Sequence, residues 1–195
     1  SCPFIDGIFV PDGKNQVVSS QGHVFADCPD TSGFYFMELC FAKKWKYTTL
    51  AAQRYEKMRD LTFEPSIIYA HSNIGATFDL DAVRRQFPGL TIRRFLTTVG
   101  TLSSFGGYPI YLNEEFTPAD TEFDVWFVVD GQLRMKALKV CSDCLLNLEV
   151  PLSSEDRFLS ILVTDGSVSY SPGNNANHFD MCGLADSRFE METLE

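Results

Sequence analysis

One stretch of the chain decides its fold class. It reads Phe123-Asp-Val-Trp-Phe-Val-Val129, then Asp130-Gly131, then Gln132-Leu-Arg-Met-Lys-Ala-Leu138. In the first segment apolar side chains alternate with Asp124 and Trp126, which is the period of a β-strand with two distinct faces. Asp-Gly between two such segments is a strong hairpin signal, because these residues accept the positive φ that a tight turn requires. The stretch therefore predicts an antiparallel β-hairpin.

Short strand patterns continue on both sides of this hairpin. They are rich in β-branched or alternating apolar residues, and turn residues such as Pro151 and Asp165-Gly166 separate them. Many short strands with turns between them are typical of a β-sandwich. We therefore expect an all-β sandwich over residues 34–195, with strands that include residues 91–99, 145–150, 158–164 and 185–191.

Two regions depart from the strand pattern. Leu80, Val83 and Phe87 recur at helical spacing before a Pro-Gly pair, which predicts a short helix, and residues 49–59 are a second helical candidate. The first 33 residues hold two cysteines and short strand candidates among scattered glycines and prolines. We expect residues 1–33 to form an N-terminal arm or hairpin rather than a second domain.

The charge and the apolar content of the chain exclude several classes of protein. Its 195 residues carry 16 Lys and Arg against 26 Asp and Glu, a net charge of −10. Nucleic acids and anionic membrane surfaces bind clustered basic side chains, so neither is an expected partner. The apolar runs, such as residues 158–163, are too short to cross a bilayer, so membrane insertion is not expected either.

The cysteines bear on the location of the protein. There are six, at positions 2, 28, 40, 141, 144 and 182, and an even number is typical of secreted proteins with disulfide bonds. Cys141-Ser-Asp-Cys144 also has metal-ligand spacing, but no second pair with such spacing accompanies it. We favour disulfide bonds and an extracellular location, with free thiols in a cytoplasmic protein as the alternative.

Three motifs follow one another between residues 67 and 189. The first is Ile67-Ile-Tyr-Ala-His-Ser-Asn-Ile-Gly-Ala-Thr-Phe-Asp-Leu80, the second spans residues 157–166, and the third spans residues 180–189. In this order they resemble the motifs of NPCBM-type modules, which are galactose-binding-like β-sandwiches often attached to glycoside hydrolases. The resemblance covers residues 34–191 and is weakest in the third motif, where Met181 stands for a histidine.

The resemblance carries several implications. It implies a jelly-roll, galactose-binding-like sandwich with non-catalytic glycan recognition. In such folds a structural calcium ion is a possible cofactor, and the acidic candidates by residue type are Asp180, Asp186 and Glu190. Opening and closing strands that lie side by side would bring Cys40 near Cys182. Cys2 with Cys28 would then close the arm, and Cys141 with Cys144 would close a tight loop.

An enzyme is not expected. The sequence has three histidines, His23, His71 and His178, and none lies in a Gly-x-Ser-x-Gly, His-Glu-x-x-His or phosphate-loop motif. Adjacent carboxylates such as Glu114-Glu115 are typical of a solvated loop and do not by themselves indicate an acid–base pair. A binding role is the better expectation.

A glycan site needs a flat aromatic group and planar polar side chains. Trp126 with Arg134 across the hairpin could supply both, if Trp126 is exposed. The alternative is that Trp126 covers a sheet face against the arm or a second subunit, and that His71 is structural. The candidate ligand-binding residues are Trp126, Arg134, His71, Asn73, Tyr170, Asn174 and Asn175.

The function we expect is therefore non-catalytic glycan recognition. The alternative is a protein–protein interaction module of the same fold that has lost the sugar site and forms a homo-oligomer or hetero-oligomer. The aromatic content of 13% favours this alternative, because aromatic residues are enriched at interfaces.

Overall fold

The computed structural model describes residues 3–31, 39–42, 67–101, 122–141, 144–165 and 180–193, with the backbone alone for residues 39–42. The strands within these residues are β1 (Ile5–Phe9), β2 (Gln16–Val17), β3 (Val24–Phe25), β4 (Leu39–Ala42), β5 (Ile67–His71), β6 (Ile74–Asp79), β7 (Leu90–Thr101), β8 (Glu122–Val129), β9 (Gln132–Cys141), β10 (Leu145–Pro151), β11 (Phe158–Thr164) and β12 (Met181–Thr193). One helix, α1 (Leu80–Gln86), follows β6.

Two five-stranded antiparallel sheets pack face to face. Sheet one has the order β1-β6-β11-β8-β9, and sheet two has the order β10-β7-β12-β5-β4. Their facing sides share one core, in which Phe95 and Val99 of β7 pack with Phe123 and Phe127 of β8. The prediction of an all-β sandwich is confirmed.

The hairpin that decides the fold class forms as predicted. β8 pairs with β9 from Glu122↔Cys141 to Val129↔Gln132, around a turn with positive φ at Asp130 and Gly131. A Cβ on Gly131 would lie 2.5 Å from the carbonyl oxygen of Val24, so the turn needs glycine for its space as well as for its φ. The turn therefore also fixes where β3 can lie.

Helix α1 closes one edge of the core. The side chain of Asp79 accepts a hydrogen bond from the Ala82 N–H at 2.8 Å and caps the helix, while Leu80 and Val83 are buried. This confirms the helix predicted from the Leu80, Val83 and Phe87 spacing; the candidate at residues 49–59 lies outside the described residues. No helix in the described ranges has the length and apolar character that crossing a membrane requires.

The N-terminal arm is part of the sandwich. β1 pairs with β6 and forms an edge of sheet one, and the Asp79 N–H donates to the Phe4 carbonyl at 2.8 Å. The β2–β3 hairpin lies over the outer side of the same sheet. There Phe9, Val18, Phe25 and Cys28 of the arm pack against the sheet. The sheet side chains that they contact are those of Trp126, Val128 and Leu162, and we call these three residues the covered face.

Two hydroxyl groups fix the arm on the covered face. Thr77 of β6 and Ser160 of β11 both donate to the carbonyl oxygen of Val18, and their own oxygens lie 2.7 Å apart. All three residues are buried. Because a buried carbonyl needs a donor, these bonds hold the arm at one position along the sheet.

Candidate functional site

Four strand ends lie together at one end of the sandwich, and they are joined in pairs by residues 102–121 and 166–179. β7 ends at Thr101 and β8 begins at Glu122, while β11 ends at Thr164 and β12 begins at Met181. The pairs Cys182↔Thr101, Met181↔His71 and Thr164↔Asp124 place these ends and the β5–β6 turn side by side. We call this region the loop end; its described residues are 71–74, 101, 122–124, 164–165 and 180–181.

Buried polar side chains predominate at the loop end, beside the buried apolar residues Ile74 and Phe123. The buried polar residues are His71, Ser72, Asn73, Thr101, Asp124, Thr164, Asp165 and Asp180. Polar groups removed from water lose free energy unless they are hydrogen-bonded, so a cluster of this size depends on its internal bonds.

Asn73 ties the β5–β6 turn to the end of β11. Its Nδ2 donates to Oδ2 of Asp165 at 3.1 Å, and the Asp165 N–H donates back to Oδ1 of Asn73 at 3.1 Å. Asn73 has a φ of 62°, a left-handed conformation that asparagine accepts more readily than most residues. Asn73, which belongs to the first motif of the resemblance, therefore fixes the position of Asp165, the residue before 166–179.

Asp180 ties the same turn to the start of β8. Its carbonyl oxygen accepts from the Ser72 N–H at 3.0 Å, and its carboxyl Oδ1 accepts from the Glu122 N–H at 3.2 Å. Burial raises the pKa of Asp180 to about 8, and the nearby charges of Asp165 and Glu122 act in the same direction. Asp180 is therefore largely protonated at neutral pH.

Asp124 is the second perturbed carboxyl group of the loop end. Its Oδ1 accepts from the Lys139 N–H at 2.7 Å. Burial raises the pKa of Asp124 above its usual value, although this hydrogen bond favours the charged form. Sequence reasoning missed Asp124 and Asp165 as members of the cluster, because one alternates within a strand and the other reads as a turn residue.

The structure does not place Trp126 and Arg134 in a common site. Trp126 is 8% exposed, its ring packs against Phe25 of the arm at 6.0 Å between centroids, and its Nε1 donates to Thr164 Oγ1 at 3.0 Å. Arg134 instead donates to the carboxylate of Asp156 and to the Pro151 carbonyl. The expectation of an exposed tryptophan is therefore corrected: the alternative, in which the arm covers Trp126, is what the structure has.

The remaining glycan-site candidates divide into two groups. His71 and Asn73 belong to the buried base of the loop end, where the His71 Nδ1 lies 3.3 Å from the Ser72 hydroxyl. Tyr170, Asn174 and Asn175 lie outside the described residues.

The acidic residues considered for calcium lie apart. Asp180 is buried at the loop end, whereas Asp186 is exposed and has a φ of 52° at a bulge of β12. Glu190 accepts from the guanidinium of Arg94 at 2.7 Å. Within the described ranges, no group of three or more His, Cys, Asp and Glu side chains is placed to hold a metal ion.

The cysteine positions argue against one predicted pair. β5 lies between β4 and β12, and at a strand spacing of about 4.8 Å this puts Cys40 and Cys182 roughly 9.5 Å apart, beyond the reach of a disulfide bond. The opening and closing strands are not neighbours, so this expectation is corrected. Cys28 is a buried thiol, and Cys2 lies outside the described residues.

A serine, a histidine and an aspartate meet where the arm touches the β8–β9 turn. Ser19 Oγ lies 2.8 Å from His23 Nδ1, and His23 Nε2 lies 4.0 Å from Asp130 Oδ1. Each acceptor also has a hydrogen bond to the backbone: Ser19 Oγ accepts from the His23 N–H, and Asp130 accepts from the N–H groups of Arg157 and Phe158. The Ser20 N–H is also bound to Asp6, so it cannot stabilise an oxyanion beside Ser19.

No protein-family model and no curated protein matches the chain. Among solved structures, the chain is similar to CBM51 from Clostridium perfringens GH95 in complex with methyl-galactose, with 14% identity and a TM-score of 0.49 over 95% of this chain and 94% of that chain. It is also similar to CBM51-2 in complex with GlcNAc and INT domains from Clostridium perfringens ZmpB, with 16% identity and a TM-score of 0.43 over 95% and 39% of the two chains.

A third similar structure contains the tandem CBM51 modules of Sp3GH98, the family 98 glycoside hydrolase from Streptococcus pneumoniae SP3-BS71. The identity is 10% and the TM-score 0.45, over 80% of this chain and 46% of that one. The chain thus spans less than half of the latter two. At these identities the likeness concerns the fold alone, and membership of the NPCBM family stays a prediction.

Proposed function

We propose that this protein is a non-catalytic module that recognises a glycan at the loop end, outside the cell. The observation that carries the proposal is that residues 102–121 and 166–179 both begin and end on the same buried polar base. Binding residues are commonly presented by surface segments held on a rigid scaffold. The bonds of Asn73 and Asp180 supply such a scaffold here.

Two other broad surfaces of the sandwich are already occupied by the protein itself. The arm lies on the covered face, so Trp126 cannot stack on a sugar there. On the outer side of sheet two, Arg94 binds Glu149 and Glu190, and Arg93 binds Glu192 at 2.7 Å. Polar groups that are paired with each other offer fewer bonds to a ligand. This favours the loop end over both surfaces.

The proposed ligand contacts are Tyr170, Asn174 and Asn175. A tyrosine ring can cover the C–H face of a sugar, and asparagine side chains can donate to and accept from paired hydroxyl groups. All three belong to the segment that Asp165 and Asp180 bracket. We assign His71 and Asn73 to the buried base, where Asn73 is bonded to Asp165, and not to ligand contact.

A glycan-array screen tests the proposal, run once with calcium and once with a chelator. We expect a specific hit that Tyr170→Ala and Asn174→Ala each abolish, and that the control Arg93→Ala on sheet two leaves unchanged. A hit lost in Arg93→Ala but kept in both loop variants would move the site to sheet two. A blank array in both buffers would contradict glycan recognition.

A second candidate function is protein–protein interaction, and one observation favours it. Leu133 and Leu138 of β9 and Leu145 of β10 are 39%, 46% and 53% exposed. Leucine side chains that remain in water are often found where another surface docks. A molecular mass that rises with concentration, and that Leu138→Lys returns to the monomer value, would support this function.

A further inference from the structure

Cys141 and Cys144 stand where the chain crosses between the two sheets. Cys141 is the last residue of β9, at the edge of sheet one, and Cys144 directly precedes β10, at the edge of sheet two. The structure has both residues as thiols, with their Sγ atoms 2.9 Å apart. A disulfide bond is about 2.05 Å long, so closing it requires a movement of less than about 1 Å.

The backbone holds the two sulfur atoms in this position. The Cys144 N–H donates to the Cys141 carbonyl at 2.9 Å and closes the turn. On one side Cys141 pairs with Glu122 of β8, and on the other Leu145 pairs with Gly100 of β7. Both thiols are thus held next to strands that their own sheets fix. The chain therefore loses little conformational entropy when the bond forms.

Exposure separates this pair from Cys28 and Cys182. Cys141 and Cys144 are partly exposed, whereas Cys28 and Cys182 are buried. Burial raises the pKa of the Cys28 thiol to about 11 and also raises the pKa of the Cys182 thiol. Since the thiolate is the reactive species, the two buried cysteines are poor participants in exchange while the protein is folded.

We propose that Cys141 and Cys144 form a reversible thiol–disulfide exchange site that reacts with small-molecule disulfides. One thiolate attacks the external disulfide, forms a mixed disulfide and releases one external thiol. The second thiolate then attacks the mixed disulfide, closes the Cys141–Cys144 bond and releases the other external thiol. Two protein thiols are oxidised, one external disulfide is reduced to two thiols, and reduction follows the same steps backwards.

The test is a titration of the folded full-length chain in glutathione redox buffers, followed by acid quenching, alkylation and tryptic digestion. Cleavage after Lys139 and Arg157 gives a peptide, residues 140–157, that carries these two cysteines and no other. We expect it to pass from doubly alkylated to internally bonded within the range of the glutathione couple, and to return on reduction. In Cys141→Ser, the Cys144 mixed disulfide with glutathione should accumulate instead.

The peptide of residues 158–188 is the internal control, because its single cysteine is the buried Cys182. It should resist alkylation until denaturant is added, which also shows that the titrated protein is folded. The proposal is overturned if the 140–157 peptide stays doubly alkylated in the most oxidising buffer. It is overturned equally if only mixed disulfides form, or if the bond survives the most reducing buffer as a permanent structural disulfide.

Discussion

The covered face and the loop end both exclude water, but with opposite chemistry. On the covered face Trp126, Val128 and Leu162 meet apolar side chains of the arm, and the two hydroxyl groups there share one carbonyl. At the loop end the buried polar residues carry amide, hydroxyl, imidazole and carboxyl groups, and burial raises the pKa of the Asp180 carboxyl group to about 8. Apolar burial stabilises a fold, whereas burial of titratable groups costs stability.

The two kinds of burial differ in what they contribute to the protein. A region that lowers stability is retained when it serves another purpose, and binding sites are common examples. By this reasoning the covered face is structural, and the loop end is the place to look for a ligand. Substitutions in the two regions should therefore change stability in opposite directions, and a surface position should change it little.

Trp126→Ala should be the most damaging change on the covered face. It removes a buried indole ring and its bond to Thr164, and it leaves a cavity under the arm. We expect a loss of about 3–5 kcal/mol in the free energy of unfolding, nearly the same at every pH, measured by urea denaturation with circular dichroism. Leu133→Ala, at a 39% exposed position, is the control. A loss no larger than in that control would mean that the arm does not cover Trp126 in solution.

Asp180→Asn should increase the free energy of unfolding, which Trp126→Ala decreases. The pKa of Asp180 is about 8 in the folded chain against 3.8 ordinarily, so its contribution to stability is complete below about pH 4 and is lost as the pH rises to about 8. Asparagine keeps the acceptor for the Glu122 N–H and cannot ionise. We expect a gain on the order of a few kcal/mol at about pH 8 that vanishes towards about pH 4. Parallel stability curves for the two proteins would contradict a buried, neutral Asp180.

Gly75→Ala tests how closely the arm is fitted. A Cβ at this position would lie 2.4 Å from the ring of Phe9, so the ring would have to move. We expect a loss of about 1–3 kcal/mol in urea denaturation. Combining the change with Phe9→Ala should relieve the clash, so that the second substitution costs less in this background than it does alone. If the losses of the two single variants simply add in the double variant, the Phe9 ring does not contact position 75.

Arg93→Ala should have the smallest effect. Its guanidinium binds Glu192 at 2.7 Å, but both side chains are more than half exposed. Such pairs contribute below about 1 kcal/mol, and salt screens them. The stability difference should shrink further in high salt. A large loss that is insensitive to salt would mean that the outer side of sheet two is buried against something in solution.

Local patterns predicted much of the fold. The alternation in residues 123–129 and the Asp130-Gly131 turn gave the correct hairpin, and helical spacing gave α1, because these elements depend on neighbours in sequence. The arm was placed against Trp126 only as an alternative, with a second subunit as the other possible cover. Its apolar residues are scattered among glycines and prolines, so the sequence did not show which of them would contact the tryptophan.

The loop end was predicted only in part. The resemblance pointed to His71 and Asn73, which lie in the buried base, and their role as ligand-binding candidates stays a prediction. Asp124, Asp165 and Asp180 come from three separate stretches of chain, and strand order alone brings them together. The same dependence on strand order explains why the neighbourhood of Cys40 and Cys182 was predicted wrongly.

The edge strand β1 has a practical consequence for dissecting the molecule. A shorter version that begins at residue 34 would lose this strand and leave β6 paired with β11 on one side only, with the backbone groups that face β1 unpaired. The same cut would uncover Trp126, Val128 and Leu162 at once. An open strand edge beside an apolar patch is a template for self-association, so such a fragment should aggregate during expression. For production, binding assays or fusion to another protein, residues 3–31 should therefore stay with the sandwich.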